Sequence, residues 1–505
     1  MSERAADAAL PRDGLEHRLH PLSWLFVLIA QLRQFILPLL VLLLAGRGDS
    51  RQLWSLVAVA ALAVASLLQY FTYRYRLRDD AIVIRSGWLH RSLREIPYAR
   101  IHNVDLHQSL LHRLFAVAEV RLESAGGVKP EAQMRVLRMD QALALEALVR
   151  RRGQAADAGA PAGEGAPPLL TLPTGELVRL GLVSNRGMLV VAAGFGALAQ
   201  TGDDLFGALV ERWGKLAFGW VSDFAGQHAH DSPLVLGLAA ASLLVVALAL
   251  LRLLSVALAI LQFHGFTLRE DDDRISVERG LLARSRSSTR RRRIQAWSLR
   301  EGVLHRWFGR RSLRVDTAAG QRGREPGQHT LKDIAPIATP ARCDELIRHF
   351  LPGAGWGELD WQPLHRHAWL RIAVPGLLLA LAVVAAACWR FGAWGLPALA
   401  LPALQLWRAR RIAAACGHAD NDRLVAWRTG WLAKRWNFAE IGKLQAVRLA
   451  QSPLDRRLGM ASLLLDTAGA SPLGSPLQLR HLPLETARAL SARLVAQLAR
   501  TRLQR

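Results

Sequence analysis

Five histidines sit at short, regular spacings: His102, His107 and His112 are five apart, and His365 and His367 are two apart. Such spacing serves metal ligation only where carboxylates or cysteines converge on the same point. The surrounding block occurs twice more in the chain, and there the His102 position is Gln295 and Gln445. That substitution suits a polar strand or turn residue, so no metal site is assigned. The three cysteines, Cys343, Cys388 and Cys416, are too few for a disulfide framework and read as packing residues. No Gly-x-Ser-x-Gly elbow, His-Glu-x-x-His pair or Gly-Lys-Ser/Thr phosphate loop is present. The sequence therefore assigns no catalytic residue and no cofactor.

The residues left with chemistry are basic. Arg290, Arg291, Arg292 and Arg293 form the densest run. Guanidinium forks suit phosphate, and an anionic leaflet attracts each juxtamembrane Lys or Arg by about 1 kcal/mol. A solvated loop serving membrane topology is the plainer reading of the same run. Two further positions stay basic in all three copies of the block: Arg100, Arg293 and Lys443, and Arg113, Arg306 and Arg456. An acid stays beside them, as Glu123, Asp316 or Asp466. An Arg and an acid at constant separation read first as an internal ion pair, and second as a phosphate- or partner-facing site. These nine basic residues are the candidate lipid- or partner-binding set.

The elements that must position them are largely membrane elements. The chain has 505 residues, a net charge of +24, and 51% hydrophobic residues. Its apolar residues collect in long blocks, which excludes disorder and a soluble nucleic-acid binder. The blocks are Trp24–Ala45, Leu53–Tyr73, Gly187–Gln200, Leu234–Phe263, Ile372–Trp389 and Phe391–Trp407. About 20 apolar residues cross ~30 Å of hydrocarbon, so the expected pattern is six spans in three hairpins, over 24–73, 171–263 and 353–407. Gly187–Gln200 is short for a span and is read as re-entrant or as borrowing length from the residues after Gln200. Arg33 and Arg252 lie inside apolar blocks and are functional candidates by default, with snorkelling or a helix break as the cheaper account.

Arginine-rich stretches follow each hairpin, while the 201–232 loop carries Asp203, Asp204, Glu211, Asp223 and Asp231. Positive-inside logic then places both termini and the Arg-rich stretches in the cytoplasm. A bacterial inner membrane is the expected location, and no cleavable signal peptide is read in the polar first 20 residues.

Self-comparison gives the strongest signal. Arg85-Ser86-Gly87-Trp88-Leu89, Glu278-Arg279-Gly280-Leu281-Leu282 and Arg428-Thr429-Gly430-Trp431-Leu432 start blocks that align without a gap over 36 residues, offset by 193 (280 − 87) and 343 (430 − 87). Within each block, alternation as at Ile82 and Ile84 closes on the glycine, as a hairpin needs. Each block ends in a helical pattern: Asp140–Arg150, Thr339–Phe350 and Glu485–Arg500. Thr339 followed by Pro340 is a helix start, and Leu490, Leu494, Val495 and Leu498 make one apolar stripe. The expected modules are 74–152, 264–352 and 408–505, with a flexible linker over 153–170 and a short polar N-terminus over 1–23.

Residues Tyr75 through Leu89, Glu95 through Val104 and Leu110 through Gly127 resemble the YdbT-type bacterial pleckstrin-homology-like (PH-like) module. The third copy keeps the related pattern best, as Ser452-Pro453-Leu454-Asp455-Arg456-Arg457-Leu458-Gly459; the second departs most, with Arg290–Arg293 and Trp297. The resemblance implies an α+β membrane protein in which transmembrane helix hairpins alternate with three PH-like β-barrel modules, each capped by a C-terminal helix. It implies no enzyme and no agreed ligand. The expected role is a scaffold or a sensor of anionic lipid surfaces. Its expected partners are anionic inner-leaflet lipids and a membrane protein or a second copy, and not nucleic acid. The rival expectation is a transport, export or envelope-stress component gated by the modules.

Overall fold

A computed structural model describes residues 71–87, 91–98, 101–124, 132–154, 167–199, 233–271, 273–317, 331–467 and 477–503, with scattered positions between 17 and 68. The described residues divide into two units, one of residues 1–123, 130–267 and 278–287, the other of residues 124–129, 268–277 and 288–505. The architecture is mixed helix and sheet.

In the first unit, β1 (His17–Arg18), β2 (Arg74–Leu77), β3 (Ala81–Ser86) and β4 (Ser92–Pro97) pair in that order as one antiparallel sheet. Alternation sets the faces: Ile82 and Ile84 are buried and Val83 between them is half-buried. Three more strands follow, β5 (Ile101–Gln108), β6 (Val117–Ser124) and β7 (Ala132–Arg138), with α1 (Leu110–Leu114) between β5 and β6 and α2 (Met139–Gln154) after β7. Both sets of strands and α2 bury one core, in which Ile82, Ile96, Val104 and Val120 meet Leu145 and Leu148.

The same unit carries β8 (Leu170–Thr171), α3 (Thr174–Val183), α4 (Arg186–Ala199) and α5 (Pro233–Phe263). Ala240–Phe263 in α5 is 24 residues long and apolar enough to cross a membrane. The short block at Gly187 gains its length from the N-terminal side: α3 and α4 pass the same test together, bent by 54° at residues 184–185. The overlooked signal for α3 was Leu177, Leu180 and Gly181, buried at helical spacing. Phe35–Ala45 and most of Leu53–Tyr73 lie outside the described residues.

The second repeat continues with β9 (Thr267–Asp271), β10 (Arg274–Arg279), β11 (Arg284–Arg290), β12 (Ile294–Glu301), α6 (Val303–Trp307), β13 (Arg311–Thr317), β14 (Asp333–Ala338) and α7 (Pro340–Phe350). Thr339 caps α7, its hydroxyl accepting from the Arg342 amide at 3.3 Å with Pro340 in the first turn. Then come β15 (Gln362–Pro363), α8 (Ala368–Phe391) and α9 (Ala400–Ala415). The 48 residues Ala368–Ala415 are apolar enough to cross a membrane. They turn back on themselves, since the Arg410 guanidinium sits 4.5 Å from the Trp369 ring centroid and a Cβ at Gly376 would meet Gln405 at 2.8 Å.

The third repeat supplies β16 (Gly417–Asp420), β17 (Leu424–Thr429), β18 (Lys434–Glu440), β19 (Leu444–Ala450), α10 (Pro453–Arg457), β20 (Met460–Thr467), β21 (Leu477–Pro483) and α11 (Leu484–Leu503). Leu490 and Leu494 on α11 are buried and Leu498 packs partly against the core, but Val495 is 51% exposed and is not part of the stripe. The repeat glycines have a backbone reason. Gly280 and Gly430 hold φ of +114° and +86°, and a Cβ at either would overlap the carbonyl of Ala283 or Ala433.

Strands four and five of a repeat are consecutive in sequence, yet in all three repeats they belong to different sheets. They pair instead with another repeat. In the first unit β5 lies antiparallel to β11, with Gln108, His107, Leu106 and Asp105 opposite Arg284, Ser285, Arg286 and Ser287. In the second unit β12 lies antiparallel to β18, with Trp297, Ser298, Leu299, Arg300 and Glu301 opposite Phe438, Asn437, Trp436, Arg435 and Lys434. The register is the same in both. Moving Gln108 by 193 and Arg284 by 150 (430 − 280) gives Glu301 and Lys434, which are paired. Backbone hydrogen bonds therefore join repeat to repeat, each worth about 0.5–1.5 kcal/mol net.

Candidate lipid- and partner-facing surfaces

The arginine run begins in β11 and continues through a single 3-10 turn, Arg291–Arg293. The Arg291 amide donates to the Asp273 carbonyl at 2.6 Å, and its guanidinium is 3.8 Å from Glu270. Arg292 is exposed. Burial, then the charges of Arg292 and Arg290, hold the Arg293 guanidinium below its usual range. Lys443 ends the matching turn of the third repeat, Ile441–Lys443, and its ammonium donates to the Arg292 carbonyl. The two turns thus gather Arg291, Arg292, Arg293 and Lys443. Such a cluster favours a polyanionic neighbour such as phosphate. Arg100 lies outside the described residues.

The other repeated arginines have a different surrounding. Arg113 on α1 donates to the Leu281 carbonyl at 2.6 Å, and Arg306 on α6 donates to the Trp431 and Leu432 carbonyls at 2.6 and 2.9 Å. Each clasps the glycine turn of the following repeat, beside the shared strand edge. The carboxylate at Arg306 is Glu301, 3.1 Å away, and not Asp316. Asp316 sits among Lys332, Arg300 and Arg314, and burial pushes its carboxyl up. The side chain of Glu123 is outside the described residues. Arg456 on α10 is exposed, and its guanidinium has no hydrogen-bond or ion-pair partner among the described residues.

The short helices α1 and α10 also face the preceding helical segment. In the third repeat Ser452 and Asp455 form a capping box, and Arg371 of α8 approaches the Asp455 carboxylate at 3.4 Å. In the first repeat the same position is His112, whose ring lies 4.1 Å from Phe26. Burial works against the Asp455 charge, but the Ser452 hydroxyl and amide and the Arg371 guanidinium outweigh it and hold the carboxyl below its usual range. A depressed carboxyl stabilises the fold above its unfolded value of about 3.9 and loses that contribution as pH falls through the folded value. Thermal unfolding below about pH 4 should therefore be less pH-dependent in Asp455→Asn than in the unaltered chain. Parallel curves for the two would sink this assignment.

Arg252 has a structural task. Its Nη1 lies 3.1 Å from the Leu182 and Ser184 carbonyls and from Asn185 Oδ1, at the 54° bend. The Ser255 hydroxyl accepts from the Gly187 amide at 2.9 Å, and a Cβ at Gly187 would meet the Leu251 carbonyl at 2.5 Å. The broken helix is thus satisfied by α5, as irregular backbone must be wherever it meets hydrocarbon rather than water. Arg33 lies outside the described residues.

Sequence reasoning missed a cleft of about 860 Å³ lined by Arg311, Asp344, Arg348, Trp356, Trp361 and Trp436. Its polar groups are paired with one another: Arg311 contacts Glu301 at 2.6 Å and Asp344 at 3.7 Å, and Trp356 Nε1 donates to Asp344 at 3.0 Å. The signal lay in Trp356, Trp361 and Trp436, tryptophans that fall outside the apolar blocks. Burial pushes the Cys343 thiol up to about 12 and raises that of Cys416, and it lowers the pKa of His418, whose ring nitrogens are buried with no hydrogen-bond partner. His365 and His367 have ring centroids 5.3 Å apart, and no group of three or more His, Cys, Asp or Glu able to hold a metal gathers among the described residues.

Comparison with known proteins places these features. The family described as "Bacterial PH domain" matches three times, over residues 26–153, 221–349 and 369–498. The chain is 22% identical over 424 residues to the UPF0699 transmembrane protein YdbT of Bacillus subtilis (strain 168), covering 81% of this chain and 84% of that one. No solved structure matches.

Proposed function

This chain belongs to the bacterial PH domain family, and from that premise we propose that it is a non-enzymatic membrane scaffold that reads anionic lipid surfaces. The observation that carries the reading is the shared strand edge. The first and second modules share a strand edge within one unit, the second and third share one in the same register within the other, and this second junction gathers Arg291–Arg293 with Lys443. The four-strand and three-strand sheets with their capping helix are taken as the two walls of a PH-like barrel. The apolar helices are taken as spans of a bacterial inner membrane, with the modules and both termini on the cytoplasmic side. The arginine-rich turns then meet the inner leaflet and its phosphates.

A transport component would draw on the helix break at residues 184–185. There Arg252 donates to carbonyls of the break itself, which supports a structural role.

The test is the lipid that leaves the membrane with the protein. The full chain, extracted in polymer nanodiscs from membranes of mixed phosphatidylglycerol and phosphatidylcholine, should enrich the anionic lipid about tenfold or more, at about 1 kcal/mol per engaged charge. Replacing Arg290–Arg293 together with glutamine should remove most of that enrichment. Unchanged enrichment at low salt would leave the run as a topology signal and end the lipid-sensing reading.

A further inference from the structure

We propose that a second copy of this chain pairs its β4 with β19, extending the array of modules from chain to chain, head to tail. Each repeat offers two strand edges, one at its fourth strand and one at its fifth. Four of these six edges are consumed within the chain, β5 on β11 and β12 on β18, in a single register. Among the described residues two remain: β4, which ends the sheet β1-β2-β3-β4, and β19, which ends the sheet β19-β20-β21. One is a fourth strand and the other a fifth, so they are the two halves of the interface the chain has already built twice.

Exposure at matched positions marks the difference. Leu106 and Leu299, on covered fifth strands, are 3% and 1% exposed, whereas the equivalent Leu449 on β19 is 36% exposed. Trp436, on a covered fourth strand, is 9% exposed, and the equivalent Leu93 on β4 is 70% exposed. Carried forward by the repeat offsets, the pairing of Leu299 with Trp436 sets Leu449 opposite Leu93. Two exposed leucines would thus cover each other, at directly opposed positions where cross-strand side chains interact. Arg448 would face Arg94 at the position Ser298 and Asn437 hold in the existing junction, and that junction accommodates two facing arginines, Arg300 and Arg435, two residues along. Beside β19, Arg456 is exposed without the acceptor carbonyls that its counterparts Arg113 and Arg306 have found. Unpaired strand edges are templates for another strand, and the one that fits in register, apolar pattern and clasp is this chain's own.

Such an interface is heterologous, so it yields rings if the rotation closes and filaments if it does not. The inference rests on the scaffold reading for its purpose alone; lipid enrichment tests that reading and cross-linking tests this one. In a Cys388→Ala background, differently tagged full-length Leu93→Cys and Leu449→Cys chains are co-reconstituted in liposomes and oxidised. A mixed disulfide-linked dimer is expected between the two, and a ladder of multimers from Leu93→Cys/Leu449→Cys. Absence of the mixed dimer from chains that melt as the background does would overturn the proposal. So would a double variant that closes only within one chain, or dimers of Leu93→Cys alone. As a second readout, Leu93→Lys, at a site too exposed to disturb folding, should lower the self-associated fraction of detergent-solubilised chain at least tenfold. No loss there would likewise count against it.

Discussion

A Trp297→Ala chain is expected to lose about 3–5 kcal/mol of stability, the usual cost of removing a buried Trp side chain. Trp297 sits on β12 and is 3% exposed. Its ring stacks on Phe350 of α7 at 5.7 Å and on Phe438 of β18 at 6.3 Å, and Phe438 in turn meets Trp356 at 4.3 Å. One side chain therefore fills the core of the second repeat and packs against the third. Each such aromatic pair adds about 0.5–1.5 kcal/mol beyond area burial. The first repeat has Val104 and the third Val447 at this position, so the aromatic bridge is specific to this junction. Denaturant unfolding of the full chain in detergent measures the loss. Trp297→Phe, which keeps a stacked ring, should recover more than half of it. A loss under about 1 kcal/mol, the range of tolerated volume-conserving swaps, would mean the ring does not join the two repeats.

Replacing Arg252 with leucine is the second large effect, although leucine is the better residue for lipid. The substitution leaves the Leu182 and Ser184 carbonyls and Asn185 Oδ1 without their donor at a bend in a membrane-embedded helix. An acceptor left without its donor where water cannot reach costs about 1–3 kcal/mol, and hydrocarbon holds no water to replace the donor. A total of about 2–4 kcal/mol is expected, after relaxation of the bend. Thermal unfolding in nanodiscs should show it as an early loss of the α3–α5 region. Arg252→Lys should recover part, because an ammonium on a shorter reach still donates to one or two of the acceptors. An Arg252→Leu chain as stable as the original would mean that the bend is satisfied without it.

Local chemistry made much of this protein legible. The threefold repeat, the glycine turns and the Thr339–Pro340 helix start are each enforced within a few residues. Gly280 and Gly430 are glycines because any Cβ would strike a carbonyl three residues on. The apolar blocks at 240–263 and 368–415 were legible because hydrocarbon accepts few side-chain types. Arg252 was visible as an anomaly, but its meaning was not, since the carbonyls it serves lie about 70 residues away in the chain. The repeated Arg113 and Arg306 read as ion-pair or phosphate residues because a sequence displays side chains, and their acceptors are backbone carbonyls.

The same limit hid the largest structural fact. Every residue but proline carries one amide donor and one carbonyl acceptor, so nothing in β5, β11, β12 or β18 writes its pairing partner into its composition. The sequence by itself determined that there would be three modules, where each turns, and that they accompany apolar helices. Only the tertiary structure decided that one module's fifth strand is completed by the next module's fourth, because strand edges recognise one another through the backbone, which all three copies share.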